Sequence, residues 1–225
     1  MIMEQAHENK MTRDETLKVA LMVGKILLKS GAETYRVEDT INRFCIANGY
    51  EVDIFVTPTV IILGNEQVDS FNCVSRIRYR TTNLGMISEM NDMSYKFERW
   101  PMSYRGTMAW LEEKLKAQVP YGKWKVCLAS AIASASFSAM LGGNSHDFIA
   151  AFITGGIAML VLKQIAGYRP SAFWENALAG VAIGVVALIC CAVSVQCTME
   201  KIIVGALMPF VPGVAFTNGL RDYMA

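Results

Sequence analysis

Charge is scarce in the second half of this sequence. Of its 21 Lys and Arg and 20 Asp and Glu residues, only eight in total follow residue 125. A stretch this poor in charge excludes an ordinary water-soluble domain and favours helices that cross a membrane. The sequence therefore divides into a charged half, residues 1–124, and an apolar half, residues 125–225.

Other features are missing as well, and each excludes a class of protein. Residues 1–18 lack an apolar core segment, so we predict no signal peptide and an N-terminus that stays in the cytoplasm. The six cysteines show no C-x-x-C spacing, which predicts reduced thiols that act as small hydrophobic side chains. A net charge of +1 without a basic stripe predicts no nucleic-acid partner.

Signatures of catalysis are also lacking. No Ser or Cys sits in a nucleophile motif, and neither a glycine-rich phosphate loop nor a cluster of metal ligands is found in the sequence. His7 lies in the polar N-terminal tail. We therefore predict that the protein is not an enzyme and that it needs no metal and no organic cofactor.

The charged half carries the pattern of a small α+β domain. Thr12-Arg-Asp-Glu15 forms a capping box before a helix, and apolar residues at helical spacing predict a second helix over residues 33–48. The second helix is rich in charge and presents either a solvated face, which is the favoured interpretation, or a ligand site; its charged residues are Glu33, Arg36, Glu38, Asp39 and Arg43. Residues 50–56, 60–63 and 71–79 have strand patterns, with a turn at residues 64–67, and residues 83–98 and 101–116 are predicted helices. The order ααβββαα favours a cytoplasmic α+β domain over residues 1–124.

Four membrane spans are predicted in the apolar half, over residues 126–145, 148–162, 177–199 and 202–220. In the first span, Ser130, Ser134 and Ser138 share one helical face, either for close helix packing or to line a polar path. In the third, Gly180 and Gly184 have the spacing of close-packing small residues. The fold class is thus an α-helical integral membrane protein with an N-terminal α+β domain.

The last span cannot be one continuous helix. Pro209 and Pro212 lack the N–H groups that would bond the carbonyls of Gly205 and Met208, and Gly213 loosens the backbone further. Freed carbonyls are tolerated in a membrane only where they are buried or line a cavity. We therefore predict a substrate site at the break, with the half-helix N-terminus at Gly213 facing a substrate carboxylate. A proline kink used only for packing is the alternative.

Positive residues set the expected orientation. Lys and Arg flank the first span, lie between the second and third, and follow the fourth, so the N-terminus and C-terminus are predicted to be cytoplasmic. His146 and Asp147 would then face outside, either in an ordinary polar loop or with a role near the mouth of the path. Asn218, Arg221 and Asp222 end the broken helix, either as a solvated terminus or as residues that contact substrate or gate the path.

Three sets of residues resemble the threonine/serine exporter family, in its split form in which a larger chain carries the cytoplasmic domain. The sets are Ser30-Gly-Ala-Glu-Thr-Tyr-Arg-Val-Glu38, Val56-Thr-Pro-Thr59, and Pro209-Phe-Val-Pro-Gly213 with Asn218-Gly-Leu-Arg-Asp222. They follow the order found in the family and span nearly the whole chain. In the family the last motif leads into another membrane segment, so a fifth span is expected to be missing here.

The resemblance implies a function in transport. It implies export of threonine and serine, or of a dicarboxylate such as succinate, across the bacterial cytoplasmic membrane, driven by an ion gradient in which the proton is the expected ion. It also implies a second, smaller membrane subunit. Four spans are few for a path through a bilayer, which independently favours assembly with that subunit, with further copies of this chain, or with both. The alternative function is a membrane-anchored metabolite sensor or regulatory subunit that transports nothing itself.

Overall fold

The fold consists of two compact units. Residues 1–119 and 213–225 form the first unit and residues 120–212 form the second. His7 and the predicted turn residues 65–67 lie outside the described residues. The computed structural model describes residues 11–64, 73–77, 79–100, 102–116, 121–165, 172–194 and 196–224.

The first unit follows the predicted order of two helices, three strands and two helices, and it gains a last helix from the C-terminus. Its strands form one antiparallel sheet in the order β1-β2-β3, in which Phe55 pairs with Ile62 and Ile62 with Val74. The elements are α1 (Arg13–Lys29), α2 (Thr34–Ala47), β1 (Asp53–Val56), β2 (Val60–Gly64), β3 (Cys73–Arg76), α3 (Leu84–Arg99), α4 (Tyr104–Lys116) and α9 (Gly213–Met224).

The predicted capping box at the start of α1 is confirmed. The Thr12 N–H donates to Glu15 Oε2 at 2.9 Å, and the Glu15 N–H donates to Thr12 Oγ1 at 3.4 Å. These two bonds satisfy N–H groups that no helical carbonyl can reach. The first helix therefore begins where the sequence predicts it.

The core of the first unit lies between its helices and one face of the sheet. The rings of Phe44 and Phe97 are centred 4.8 Å apart, and both are buried. A side chain at Gly24 would lie 2.6 Å from Ile41 Cδ1, so the small residue lets α1 and α2 approach. Burial raises the pKa of Cys45 to about 12, so that thiol is neutral, as expected of a small hydrophobic side chain.

The second unit is a set of helices packed through small residues. The would-be Cβ of Gly155 overlaps Ser134, and that of Gly205 lies 2.8 Å from the Ser134 carbonyl oxygen. Such contacts let helix backbones approach closely. The elements are α5 (Lys123–Met140), α6 (Ser145–Ile165), α7 (Ala172–Val193), α8 (Met199–Leu207) and a 3₁₀ turn (Met208–Phe210).

Two of the described helices, Ser145–Ile165 and Trp174–Val193, are long and apolar enough to cross a membrane. Met199–Phe210 and Gly213–Met224 would make a third if the interrupted pair counts as one span. The prediction of four spans is not confirmed. Helix α5 falls short because two lysines and four serines stand among its 18 residues.

The Gly180 and Gly184 pair is not used for packing within the described part of the chain. Instead, α7 buries Ala179, Ile183 and Ala187, which lie four residues apart on one face. A side chain at either glycine would meet no described atom within 4 Å. The sequence spacing alone could not distinguish these two neighbouring faces of one apolar helix.

The close contact of α5 and α6 gives a stability prediction. Gly155→Ala should destabilise the solubilised chain by about 1–3 kcal/mol, because the new methyl group overlaps Ser134. The measurement is the unfolding midpoint in detergent. Gly184→Ala is the matched control and should leave the midpoint unchanged or raise it. Adding Ser134→Gly to Gly155→Ala removes both overlapping atoms and should recover much of the loss. An unchanged midpoint in Gly155→Ala would contradict the packing.

Candidate functional site

Helix α1 ends in a turn that only glycine can form. Gly31 has a φ of +86°, its N–H donates to the Leu28 carbonyl at 3.1 Å, and the Ala32 N–H donates to the Leu27 carbonyl at 3.0 Å. This pair of bonds is the Schellman motif. A Cβ at residue 31 would lie 2.7 Å from the carbonyl oxygen of Thr81. The glycine of the first resemblance motif is therefore required by both backbone conformation and space.

The segment from Arg80 to Thr82 is fastened to the same turn. Arg80 donates from Nε to the Leu28 carbonyl at 3.2 Å and from Nη2 to the Ala32 carbonyl at 2.9 Å. The Thr81 N–H donates to the Lys29 carbonyl at 2.8 Å. A positive group at the C-terminal end of a helix is favourable because the helix dipole is negative there. The guanidinium group is thus held in one place by two backbone acceptors.

The polar face of α9 contacts the residues that follow this turn. Asn218 Nδ2 donates to the Gly31 carbonyl at 2.9 Å, and Arg221 forms an ion pair with Glu33. Thr34 donates to Asp222 Oδ1 from its hydroxyl at 2.8 Å and from its N–H at 3.4 Å. The first and last resemblance motifs, almost the whole sequence apart, therefore lie in direct contact.

Asp222 supplies the N-terminal cap of α2. The residue in the N-cap position, Glu33, makes no capping bond with its own side chain, so the Asp222 carboxylate accepts the bonds of Thr34 in its place. A carboxylate there is favoured by the positive end of the helix dipole. The Glu33 side chain is only 16% exposed, so the prediction of a solvated face is wrong for this residue. Asn218, Arg221 and Asp222 are likewise more than a solvated terminus.

These elements enclose a cavity of about 330 Å³. Its charged groups are Arg80 and Asp222, and its other polar groups are two threonines and an amide. Sequence reasoning missed Arg80 and its neighbours, because a polar segment after a strand resembles any exposed loop. Pro58, from the second resemblance motif, also lines it. The lining is Gly31, Pro58, Arg80, Thr81, Thr82, Val214, Ala215, Asn218, Gly219 and Asp222.

The chemistry of this cavity suits a small polar ligand. A volume near 300 Å³ is at the lower end for small-molecule sites. A guanidinium group can bind a carboxylate, a carboxylate can bind an ammonium group, and the threonine hydroxyls can donate or accept. No group of three or more His, Cys, Asp or Glu side chains placed to hold a metal ion was found among the described residues.

The predicted break in the last apolar segment is present. Pro209 lies in the 3₁₀ turn Met208–Phe210, Val211 is extended with φ −70° and ψ 128°, and α9 begins at Gly213 after Pro212. The Val211 N–H donates to the Met208 carbonyl at 3.2 Å. The carbonyl that Pro212 cannot bond is thus satisfied by the chain itself, which corrects the expectation that it is free.

Ser130 and Ser134 lie on the packed face of α5. The Ser130 hydroxyl donates to the Gly155 carbonyl at 3.3 Å, and the Ser134 hydroxyl donates to the Ser130 carbonyl at 2.8 Å. Both side chains are buried. The sequence left two roles open for these serines, close helix packing or the lining of a polar path, and their contacts are those expected of helix packing.

Asp147 is a buried anchor rather than an ordinary loop residue. It is fully buried, and its carboxylate accepts bonds from the N–H groups of Asn144 at 3.0 Å and Thr198 at 2.5 Å. Asn144 Oδ1 in turn accepts the Asp147 N–H at 2.9 Å. The spacing Asn-x-x-Asp is a capping signal that could have revealed this role in the sequence.

A family model described as "Putative threonine/serine exporter" (ThrE) matches residues 18–225. The chain belongs to the threonine/serine exporter family. The match includes all three resemblance motifs and most of both compact units of this exporter-family chain. It agrees with the apolar helices α6 and α7 in indicating a membrane protein. No curated protein and no solved structure shows significant similarity to the chain.

The cap that α9 provides to α2 can be tested by hydrogen exchange. Asp222→Ala should speed exchange of the backbone amides in the first turn of α2, because the Thr34 N–H loses its acceptor. The expected loss of stability is about 1 kcal/mol, typical of a removed N-cap. Tyr223→Ala is the control, since that side chain is 88% exposed. Equal exchange in both variants would contradict the contact.

Proposed function

We propose that this chain is a subunit of a secondary-active exporter of small metabolites that carry a carboxylate. Threonine and serine are the first candidates, and succinate or a similar dicarboxylate is the candidate by resemblance to the split form of the family. The observation that carries the proposal is that α9, the helix immediately after the proline break, forms one wall of the polar cavity. Family membership supports the transport reaction.

Within this proposal, Arg80 binds the substrate carboxylate and Asp222 binds the ammonium group. The Thr82 hydroxyl and the Asn218 amide are available for a side-chain hydroxyl of the substrate. Opposite charges on the cavity wall favour a zwitterion over a dicarboxylate, since the second carboxylate would meet Asp222 as a like charge. The cavity thus supports threonine and serine above succinate.

The break itself supplies the moving part in this proposal. Between Met208 and Gly213 the backbone forms a 3₁₀ turn and an extended residue instead of continuous α-helical hydrogen bonds. Helix α9 can therefore shift without unwinding α8. Pro209, Pro212 and Gly213 would therefore control access to the cavity, with Arg221 and Asp222 holding α9 in one of its positions. Ser130 and Ser134 would act only through the packing of α5.

The remaining features of the proposal come from the sequence pattern and the resemblance. The subunit would cross the bacterial cytoplasmic membrane several times, four in this chain, with its N-terminus in the cytoplasm. A second, smaller membrane subunit and further copies of this chain would complete the path. An ion gradient, with the proton as the expected ion, would drive export. We propose transport rather than catalysis.

Transport can be measured in inverted membrane vesicles that contain this chain with the smaller subunit. Radiolabelled threonine or serine should accumulate in a gradient-dependent way, with a weaker signal for succinate. Thr82→Val should reduce uptake about tenfold, because it removes a cavity hydroxyl at constant shape and leaves a polar substrate group unpaired. Thr217→Val is the control, since that exposed hydroxyl bonds only carbonyls of its own helix. No gradient-dependent uptake of any of the three would contradict the proposal.

The proline break predicts a separate effect on flux. Replacing both Pro209 and Pro212 by alanine should favour one continuous helix, because each proline costs roughly 3 kcal/mol in a helix interior. Uptake should then fall at least tenfold while the amount of inserted protein is unchanged. Gly205→Ala is not a suitable control, since it clashes with α5. Val204→Ala, at a half-exposed position of α8, is suitable and should leave uptake near the unmodified level.

A second function, a membrane-anchored sensor, is favoured by one observation. The cavity is built wholly from residues of the first unit. A sensor would bind threonine or serine without moving it. Calorimetry on the full solubilised chain, compared with vesicle uptake, distinguishes the two functions, because binding without uptake in the presence of the smaller subunit would favour the sensor. The full chain is needed for this measurement, because a fragment of residues 1–123 would lack α9, which forms one wall of the cavity.

A further inference from the structure

An apolar groove lies between α5 and α6 on the surface of the second unit. It has a volume of about 300 Å³, and its lining includes Trp124, Leu128, Gly156 and Ile157. A Cβ at Gly156 would lie 3.3 Å from the Ala131 Cβ, so the two helices meet there through small residues. Because no side chain extends from residue 156, the space beside this contact stays open.

The lining of the groove suits hydrocarbon rather than water. No charged residue lines it, and Trp124, Leu128 and Ile157 are exposed although each is large and apolar. Helix α6 is one of the two described helices that are long and apolar enough to cross a membrane. Lipid tails are as apolar as a leucine side chain, so a groove of this kind on a membrane helix is favourable ground for an acyl chain.

The groove is long enough to cover much of one lipid leaflet. Its lining on α5 runs from Trp124 to Ala131, which is about 10 Å along a helix axis at roughly 1.5 Å per residue. One leaflet supplies about half of a hydrocarbon core of roughly 30 Å. Tryptophan is enriched at the membrane–water interface. With Trp124 at that level, an acyl chain would lie in the groove over most of its depth in the leaflet.

One end of the groove lies at the ends of both helices. Trp124 belongs to the first turn of α5, and Leu160 lies near the end of α6, yet both residues line the groove. The two helices therefore run antiparallel beside it. The residues that precede Trp124 and those that follow Leu160 are brought to the same, interfacial end of the groove.

Three lysines occupy these helix ends. Lys123 precedes the lining residue Cys127 by four residues, and Lys163 follows the lining residue Leu160 by three. Residues three or four apart on a helix share a face. Lys125 lies in the first turn of α5 as well. The groove thus leads from an apolar interior to a cluster of ammonium groups at the membrane surface.

The positive charge at this end is not neutralised within the described part of the chain. Lys123, Lys125 and Lys163 are exposed, and no described acidic side chain forms an ion pair with them. The first turn of α5 contains no Asp or Glu. At the opposite end of this unit, by contrast, the ammonium group of Lys201 donates to the Gly142 carbonyl at 2.6 Å. The charge beside the groove is therefore available to an anion.

We propose that this groove binds an anionic phospholipid. One acyl chain lies between α5 and α6, and the phosphate group is held by Lys123, Lys125 and Lys163. Basic residues at the mouth of a gap between membrane helices favour anionic headgroups. A zwitterionic lipid binds less well, because its own cationic group meets the lysines as a like charge. Only the assignment to the cytoplasmic leaflet rests on the proposed function, since it follows from the orientation proposed there.

Trp124 makes the site measurable by fluorescence. The purified full-length chain, with its other three tryptophans replaced by phenylalanine, is reconstituted in vesicles of equal parts phosphatidylglycerol and phosphatidylcholine. The acyl chains of one lipid or the other carry bromine, which quenches tryptophan on contact. We expect brominated phosphatidylglycerol to quench Trp124 about fivefold more strongly. Since both vesicles have the same composition, the ratio measures preference alone.

The control for this measurement is a chain that retains only Trp174. This residue is exposed near the start of α7, does not line the groove and is followed by Glu175. The two labels should quench it equally. Equal quenching of Trp124 by the two labels would overturn the proposal. Absence of quenching by either label would overturn it as well, because protein rather than lipid would then cover the groove.

Variants of the lysines test the headgroup contact. Lys123→Gln, Lys125→Gln and Lys163→Gln combined should bring the quenching ratio of Trp124 close to one, because the groove then lacks its attraction for the phosphate.

A second set of substitutions removes the same charge elsewhere. Lys18→Gln, Lys96→Gln and Lys116→Gln combined change exposed lysines of the first unit and should leave the ratio unchanged. An equal fall in both sets would overturn the proposal in favour of a general effect of net charge.

The apolar contact is tested without changing any charge. Ile157→Trp enlarges a side chain that lines the groove, and Ile132→Trp makes the same change at an exposed position of α5 outside the lining. Mass spectrometry of the intact chain in detergent with added phosphatidylglycerol should show about fivefold less bound lipid in Ile157→Trp alone. Equal binding in the two variants would overturn the site. Neither experiment measures uptake, so a failed transport result leaves both interpretable.

Discussion

The corner between α1 and α2 determines much of this structure, because two helix ends meet there with unpaired backbone groups. The last carbonyls of α1 and the first N–H groups of α2 have no partners within their own helices. Distant segments supply them. Arg80, Thr81 and Asn83 bond the carbonyls from Leu28 to Ser30, and Asn218 and Asp222 bond the backbone at Gly31 and Thr34. The hydrogen bonds that these unpaired backbone groups require therefore hold α9 within the first unit.

The need to pair the backbone groups at this corner also creates the cavity. A glycine at position 31 leaves no side chain at the corner, and the groups that bond its backbone are arranged around the space that remains. Arg80 and Asp222 are placed by backbone bonds before any ligand arrives, so little reorganisation is needed to bind one. Their structural roles and the binding roles proposed for them thus fall on the same side chains. Variants that change only a lining hydroxyl separate these roles better than variants of the charged residues.

Local patterns in the sequence predicted the elements, and they failed where the decisive contacts are distant. Helical spacing and the Thr12 capping box located α1, and two prolines located the break after α8. No local pattern reveals that Asp222 caps a helix beginning at Thr34, because the bond joins residues far apart in the chain. The spacing of the glycine pair in α7 predicted the wrong packed face. That spacing is local, whereas the neighbouring helices determine which face of α7 is buried.

The proline break has a role that follows from the contacts of α9. If α8 and α9 were one continuous helix, the side-chain directions of α8 would determine those of the residues after Gly213. With Val211 extended, that constraint is lifted, and the polar bonds to Gly31, Glu33 and Thr34 set the position of α9 instead. No side chain of α9 is fully buried, so these few polar bonds have little apolar packing to support them. An element held this way can be displaced at small cost in free energy, which is what a helix that opens and closes a cavity requires.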